Sequence, residues 1–465
     1  MKRLICLAVC VFMLTGLMLT GCGTSGSKEG ENSAVVESTQ ESTQAEATAT
    51  GDGKKEFTNK NLNIAVVEAG FGRAYWDAVA ASFEKDYPGV KVNITSSPKI
   101  ADTVKPLFLA GNPPDFYYTT DVSSYASDGA LMDLTDVFEG KALDKDVPLK
   151  DVIADGFLDV CKPMGDGKIF YGPSDEAIMG LWYNKTYFES KGWTAPKTWD
   201  EFMALGEKAK AEGKALFTYQ GIYPSYNEMV LIPSIASIAG TDALKKIQTY
   251  AEGAWKDEKV KKAMSIYYEM AQKGYILKGT TGMNHTQAQT EFLKGNALFC
   301  PNGTWFAAEM KDVIPTEGFS FGFIAPPVFN AGDQQYAQAG TSYYVIPAKG
   351  KNPELAKEFL RYQYTEASAK LNSEKTQAVT CIKGAVEFAK PYVDPSIYEA
   401  FKTYDQGVKP VMMSWAAVAS SSVKPGDAIW NPLTAVSNKQ STVDQWSEKI
   451  EKAMATLRDD IAAAK

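Results

Sequence analysis

The sequence predicts an α/β fold divided between two lobes. Two observations carry this expectation. From Leu62 onward the apolar period switches repeatedly between strand and helix, and about 410 residues follow Phe57, more than one compact core holds. LNIAVVEAG (62–70) alternates and breaks at glycine, as a first strand does. RAYWDAVAASFEKDYPG (73–89) has apolar residues at helical spacing and stops at Pro88-Gly89. VKVNITSS (90–97) reads as a second strand, and DTVKPLFLAGNPPDFYYTTD as helix, turn and strand. This β-α-β-α-β order belongs to a mixed or parallel sheet with helices on its faces. KIFYGPSDEAIMGLWYNKTYFE (168–189) gives two strands around a proline bend. Residues 197–213 give an amphipathic helix and ALFTYQG (215–221) a strand. TQAQTEFLKG, NALFCPNG and SYYVIPAKG follow, then the helix start NPELAKEFLRYQ. The chain closes on STVDQWSEKIEKAMATLRDDIAAAK, a long amphipathic helix, and has no internal repeat.

Ahead of the fold, Lys2 and Arg3 precede an apolar run from Leu4 to Leu19 that is short for a membrane span and fits a secretory signal. The run ends LTGC, which resembles a bacterial lipobox, so residues 1–21 are expected to leave and Cys22 to carry lipid. Two or more acyl chains hold a soluble domain on a membrane where one does not. Residues 22–56 are rich in Ser, Thr, Gly, Glu and Gln and lack apolar grip, which makes them a tether rather than part of the fold.

The formal charge of −8 comes without a basic stripe, which argues against nucleic acid as a partner. Cys161, Cys300 and Cys381 are widely spaced and odd in number, so neither a disulfide framework nor a zinc pattern follows. The single histidine, His285, rules out a multi-histidine metal site and reads as a loop or helix-start residue.

The stretch CPNGTW (300–305) sets a tryptophan just past an Asn-Gly turn at a strand end. A core tryptophan is one reading and a stacking platform for a sugar ring the other. Sugars present C–H faces and hydroxyl edges, which call for flat aromatic surfaces and for Asp, Glu, Asn, Gln or Arg.

Several stretches together resemble the extracellular solute-binding proteins of ABC transporters, in the carbohydrate-binding group that includes maltodextrin-binding protein. They are YWDAVAASFEKDYPGVKV, AGNPPDFYYTTD, YASDGALMDLTD, GLWYNKTYFESKGWTAPKTWDEF, FLKGNALFCPNGTW and NPELAKEFLRY, in order across residues 60–465. The resemblance implies a type II periplasmic-binding-protein-like fold, with two mixed sheets flanked by helices and ligand in the cleft between lobes. Crossings are implied near Gly172–Met179 and Ala337–Thr341, with a return near Ala385. That gives 57–175 plus 341–385 as lobe I and 176–340 plus 386–465 as lobe II. It implies capture of a mono- or oligosaccharide, delivery to permease subunits by lobe closure, a monomer, no cofactor and no catalysis, with lipid on Cys22 holding the protein outside the cell membrane. NGTWFAAEMKDVIP with FGFIAPPV resembles the branch that takes N-acetylglucosamine or chito-oligosaccharide ligands.

By the same resemblance Trp305 faces sugar, Trp430 in AIWNPLTAV stacks or packs a helix, and Glu176, with its neighbour Asp175, turns a carboxylate toward ligand. Tyr117, Tyr118 and Asp121 end the third strand, where open α/β sheets place ligand, although alternation keeps the two tyrosines on opposite faces. Tyr223 and Tyr226 lie on a loop after a second-lobe strand, and Arg73 follows the first strand. Tyr343 and Tyr344 read as a buried pair. Rival readings are a same-fold binder of a polyamine, peptide or metal, a glycan adhesin, and a glycosidase, which needs two carboxylates at a set separation.

Overall fold

The structure is a computed structural model that describes residues 48–49 and 55–463, apart from 69, 123–124, 126–128, 164–165 and 417–420. The signal segment 1–21, Cys22 and most of the tether 22–56 lie outside the described residues.

Two sheets organise the fold. In the first, Asn61–Val67 lies between Lys91–Ser97 and Phe116–Thr119, all three parallel. Helices Ala74–Asp86 and Ile100–Leu109 make the crossovers. Tyr343–Val345 and then Gly172–Pro173 extend this sheet antiparallel. The second sheet centres on the long strand Asp175–Asn184, paired with Ala297–Gly303 on one side and Tyr336–Gly340 on the other. Ala215–Phe217 runs parallel to Ala297–Gly303, and Lys409–Val411 closes the opposite edge. The strand expected over 62–70 thus ends at Val67, and the one expected over 215–221 at Phe217.

The helices begin where side chains can take up free backbone N–H groups. Thr198 and Glu201 close a capping box on Trp199–Ala211, and Asn284 and Gln287 do so on His285–Leu293. His285 is therefore a first-turn helix residue.

The strand period of two divides the core. Ile178 and Trp182 point to one face of the second sheet, in a cluster that runs through Val379 and Cys381 into the first lobe with Val66, Phe116 and Phe359. Leu181 points to the other face, toward Phe202, Tyr267 and Trp446. Cys161, Cys300 and Cys381 are buried free thiols, and burial pushes each thiol up.

The chain crosses between the sheets at bonded positions. Gly172–Pro173 belongs to the first sheet and Asp175 already to the second, so Ser174 is the step between them. Ser174 N donates to Ser342 O at 2.9 Å and to Thr341 Oγ1 at 3.0 Å, and residues 341–342 join Tyr336–Gly340 to Tyr343–Val345. The third segment, Val379–Thr380, pairs with Asp175 and Glu176, and Cys381 N donates to Ser174 O at 2.9 Å. Among the described residues no helix is long and apolar enough to cross a membrane, and no group of His, Cys, Asp and Glu has the makings of a metal site.

Candidate functional site

The two sheets bring the carboxyl ends of several strands toward the crossings. From the first lobe come the ends at Val67, Ser97 and Thr119; from the second come those at Phe217, Gly303 and Gly340. Strand ends that face a change of sheet form the crevice in which open α/β folds hold ligands.

Trp305 stands at the centre of this arrangement. It caps the short helix Phe306–Glu309 directly after the strand Ala297–Gly303 and is half-buried. A methyl group added at Gly303 would sit 2.2 Å from its Cζ3, so the indole folds back over its own strand end and only glycine leaves it room. A methyl at Gly70, in the first lobe, would sit 3.2 Å from its Cβ and Cδ1. The indole of one lobe thus rests against the other. The indole lies beside the hydroxyl of Tyr226, whose proton is held more tightly than usual, chiefly by burial.

The elements that position Tyr226 also carry a polar floor. The helix Glu228–Ala239 begins two residues later, and Glu228 accepts a 2.7 Å hydrogen bond from Gln338 Nε2, on the strand beside Met179. The Trp430 indole N–H lies near that carboxyl but forms no hydrogen bond, and burial raises the Glu228 pKa above its ordinary value. Trp430 itself is 2% exposed. Its faces are packed into the core with Leu433 and Ile450, and its polar edge is what reaches the site.

Glu176 lies on the opposite face of the same sheet, as the register pairing of Gln338 with Met179 requires. Desolvation alone pushes its pKa up to about 7. Its neighbours include Tyr404, whose buried hydroxyl has no partner, and Cys381. Asp175 is spent internally: it accepts from Tyr118 OH at 3.2 Å and from Ser174 Oγ, and burial raises its pKa.

The first-lobe candidates divide by strand alternation. Tyr118 is buried against Trp76 at 4.9 Å and Tyr344 at 5.9 Å between ring centres. Tyr117 points the other way, to Tyr125 at 6.2 Å, and lines an outer groove with Lys105, Leu109 and Asp121. Asp121 is exposed, and its backbone is tied to Thr119 Oγ1. Arg73 is exposed and engaged: its guanidinium donates to both oxygens of Asp77 and, at 3.0 Å, to Ser96 Oγ. Tyr223 is 47% exposed beside His285, at 5.7 Å between rings, and His285 lies 3.6 Å from Glu309.

The structure therefore gathers Trp305, Tyr226 and Trp430 around the second-lobe end of the cleft and keeps Asp175 and Tyr118 within the frame. Sequence reasoning missed Glu228 and Gln338. The available signal was faint: an acidic residue at a helix start in YNEMV, and a lone amide in the strand YAQAG.

Three comparisons bear on this geometry. The family model described as bacterial extracellular solute-binding protein matches residues 67–370. A diacetylchitobiose binding protein of Streptomyces coelicolor is 28% identical, over 70% of this chain and 71% of its own length. A multiple sugar-binding protein of Streptococcus mutans is 25% identical, over 70% of this chain and 76% of its own. Among solved structures, a chitin oligosaccharide binding protein superposes with a TM-score of 0.68 at 22% identity, over 86% of this chain and all of the other, a likeness of fold.

Proposed function

The chain belongs to the bacterial extracellular solute-binding proteins, and we propose that it captures a saccharide between its lobes and hands it to the permease of an ABC importer. The observation that carries this reading is Trp305, an indole at the second-lobe strand ends that rests against Gly70 of the first lobe and lies beside Tyr226. A flat apolar surface beside phenol, carboxyl and amide groups is what a sugar ring requires. The relatives named for diacetylchitobiose and for multiple sugars support a carbohydrate ligand, with the chito-oligosaccharide class first in line. The family is one of binding proteins, and this reading assigns no reaction to the cleft.

Closure is driven by ligand only to the extent that ligand prefers the closed form. Contacts such as Trp305 on Gly70, made only when the lobes meet, are where that preference is stored. The expected division into 57–175 plus 341–385 and 176–340 plus 386–465 would be the frame of this motion, with the bends at Ser174, one residue earlier than that division puts the step, and at residues 341–342. Lipid on Cys22 would tether the protein to the outer face of the membrane, and a monomer suffices for the mechanism.

A thermal-shift panel tests the ligand class, because a compound that binds only the folded state raises the melting temperature. The panel holds chito-oligosaccharides, other mono- and oligosaccharides, polyamines and peptides. The expected result is a rise with one glycan class; a rise confined to a polyamine or peptide would overturn the saccharide reading. Mass spectrometry of membrane-extracted protein tests the anchor, and an unmodified Cys22 would remove it.

A further inference from the structure

The end of the first lobe that lies away from the cleft carries a face that is both basic and apolar. The strands Asn61–Val67 and Phe116–Thr119 run parallel, with their carboxyl ends toward the cleft and their amino ends at the opposite pole. The turn 347–352 closes that pole. Asn352 N donates to Asp115 Oδ1 at 2.8 Å, and a methyl added at Gly350 would sit 3.3 Å from Asp115 Cα. The same turn carries Lys349 and Lys351, both exposed. A methyl at Gly111, just past the helix Ile100–Leu109, would sit 3.8 Å from Lys349 Cδ, so this lysine reaches over the helix end. Lys105 and Leu109 stand one turn apart on that helix. With Lys349 they border a groove of about 410 Å³ that Phe108 and Tyr125 also line.

Leu109 is 83% exposed, more than any other large apolar side chain among the described residues. Around it Lys105, Lys349 and Lys351 have no ion pair among the described residues. The nearby acids are engaged or set apart. Asp115 is buried and bonded to Asn63 and Asn352, and Glu354 lies 3.6 Å from Lys357. Asp102 and Asp121 line the continuation of the groove toward the cleft. In a chain of net charge −8 this pole reverses the sign. It is also where the chain that leads from Cys22 enters the fold, because Asn352 Nδ2 donates to Asn59 O at 2.8 Å and to Asn61 O at 3.0 Å.

Unpaired lysines around an exposed leucine fit anionic headgroups over hydrocarbon: the ammonium groups meet phosphate and the leucine enters the interface. A permease that takes ligand from the cleft would meet the carboxyl ends of the strands, at the other pole. We infer that this pole of the first lobe rests on the anionic phospholipid surface of the membrane, with Lys105, Lys349 and Lys351 on headgroups and Leu109 at the interface. The pose turns the cleft toward the medium from which ligand arrives. The inference extends the reading of Cys22 as a lipid anchor, since an anchor on the chain that enters here holds this pole against the bilayer.

Vesicle co-sedimentation at about 0.1 M salt tests it on residues 22–465 made without lipid, which contain the whole described fold and a core that begins at Phe57. The probes are vesicles of phosphatidylcholine alone and of phosphatidylcholine with phosphatidylglycerol. Partition into the anionic vesicles should be about tenfold or more stronger and should weaken as salt rises. Lys105→Glu with Lys349→Glu should lower it by about tenfold or more, at about fivefold per lysine. Leu109→Ser should lower it by about threefold or more. Lys278→Glu with Lys311→Glu, at exposed lysines of the second lobe, makes the same change in net charge and should cost about twofold or less. No preference for anionic vesicles, an intact partition in the first reversed pair, or equal losses in the two pairs overturns the inference. Vesicles that are ignored, together with a loss of saccharide uptake by cells carrying the first pair, would assign this face to the permease and overturn the membrane. The protein tested has no lipid and needs no sugar, so each outcome leaves the anchor and saccharide readings to their own tests.

Discussion

The two walls of the cleft are built from the same kinds of residue and treat them in opposite ways. On the first-lobe side Tyr75, Trp76, Tyr118 and Tyr344 pack in edge-to-face and tilted pairs and bury one another. Two of the hydroxyls are spent within the wall: Tyr75 OH donates to Gln363 at 2.6 Å and Tyr118 OH to Asp175 at 3.2 Å. On the second-lobe side Trp305 remains half-buried, Tyr223 is largely exposed, and Gln338 Oε1, Asn227 Oδ1 and Trp430 Nε1 are buried polar atoms that the fold does not satisfy. An aromatic cluster whose rings bury one another is a frame. One with unspent polar atoms around it is equipped to hold a ligand.

The contrast breaks most sharply at Trp76, which is 3% exposed amid four other rings. Trp76→Ala should cost about 3–5 kcal/mol of stability, as large-to-small core changes do. Denaturant unfolding measures it, and a loss below about 1 kcal/mol would show that this wall is not a packed frame.

Trp305→Ala should do the reverse. Saccharide binding should weaken by about 1–3 kcal/mol, the range of a buried aromatic anchor, while the denaturant midpoint moves far less than for Trp76→Ala. A smaller loss is expected from Gly70→Val, whose branched side chain must displace the indole of Trp305 from the first lobe. Affinity should fall several-fold in a protein of unchanged stability, and unaltered affinity would dissociate the contact from closure.

Glu176 sharpens the comparison through pH. Its carboxyl is raised from 4.5 to about 7 in the folded chain, so between those values the folded state binds more protons than the unfolded state. Stability should therefore fall as pH rises through this window, by at most about 3 kcal/mol from this group. Unfolding of Glu176→Gln against the unaltered chain from about pH 4.5 to 7.5 isolates the contribution. The smallest effect is expected at Arg73, whose exposed ion pair with Asp77 is of the kind worth about 0–1 kcal/mol. Arg73→Ala should leave affinity within about twofold, and a tenfold loss would place the guanidinium on the ligand.

Much of the frame was legible in the sequence because it follows from local rules. The strand starts, the helix stop before Pro88-Gly89 and the Thr198–Glu201 capping box are short-range patterns. The crossings came from family resemblance, since Ser174 and Ser342 lie far apart in sequence and meet only through sheet pairing. Trp305 was readable because it directly follows a strand, but the Asn-Gly pair read there as a turn is the last of that strand, paired with Gly180 and Met179, and the turn falls at Thr304–Trp305. Gln338 was not, because its importance comes from a register that sets it beside Met179, with its amide on Glu228 more than a hundred residues earlier in the chain. Arg73 shows the reverse difficulty. A cation after a first strand suggests ligand, while Asp77 four residues on supplies a helical partner.

The most direct test of the difference between the walls is titration of diacetylchitobiose and longer chito-oligosaccharides into the unaltered chain, Trp305→Ala and Tyr118→Phe. The account predicts binding by the unaltered chain, a loss of about tenfold or more in Trp305→Ala at little cost in melting temperature, and near-normal affinity in Tyr118→Phe. Equal affinity in the unaltered chain and Trp305→Ala, or a loss confined to Tyr118→Phe, would contradict it.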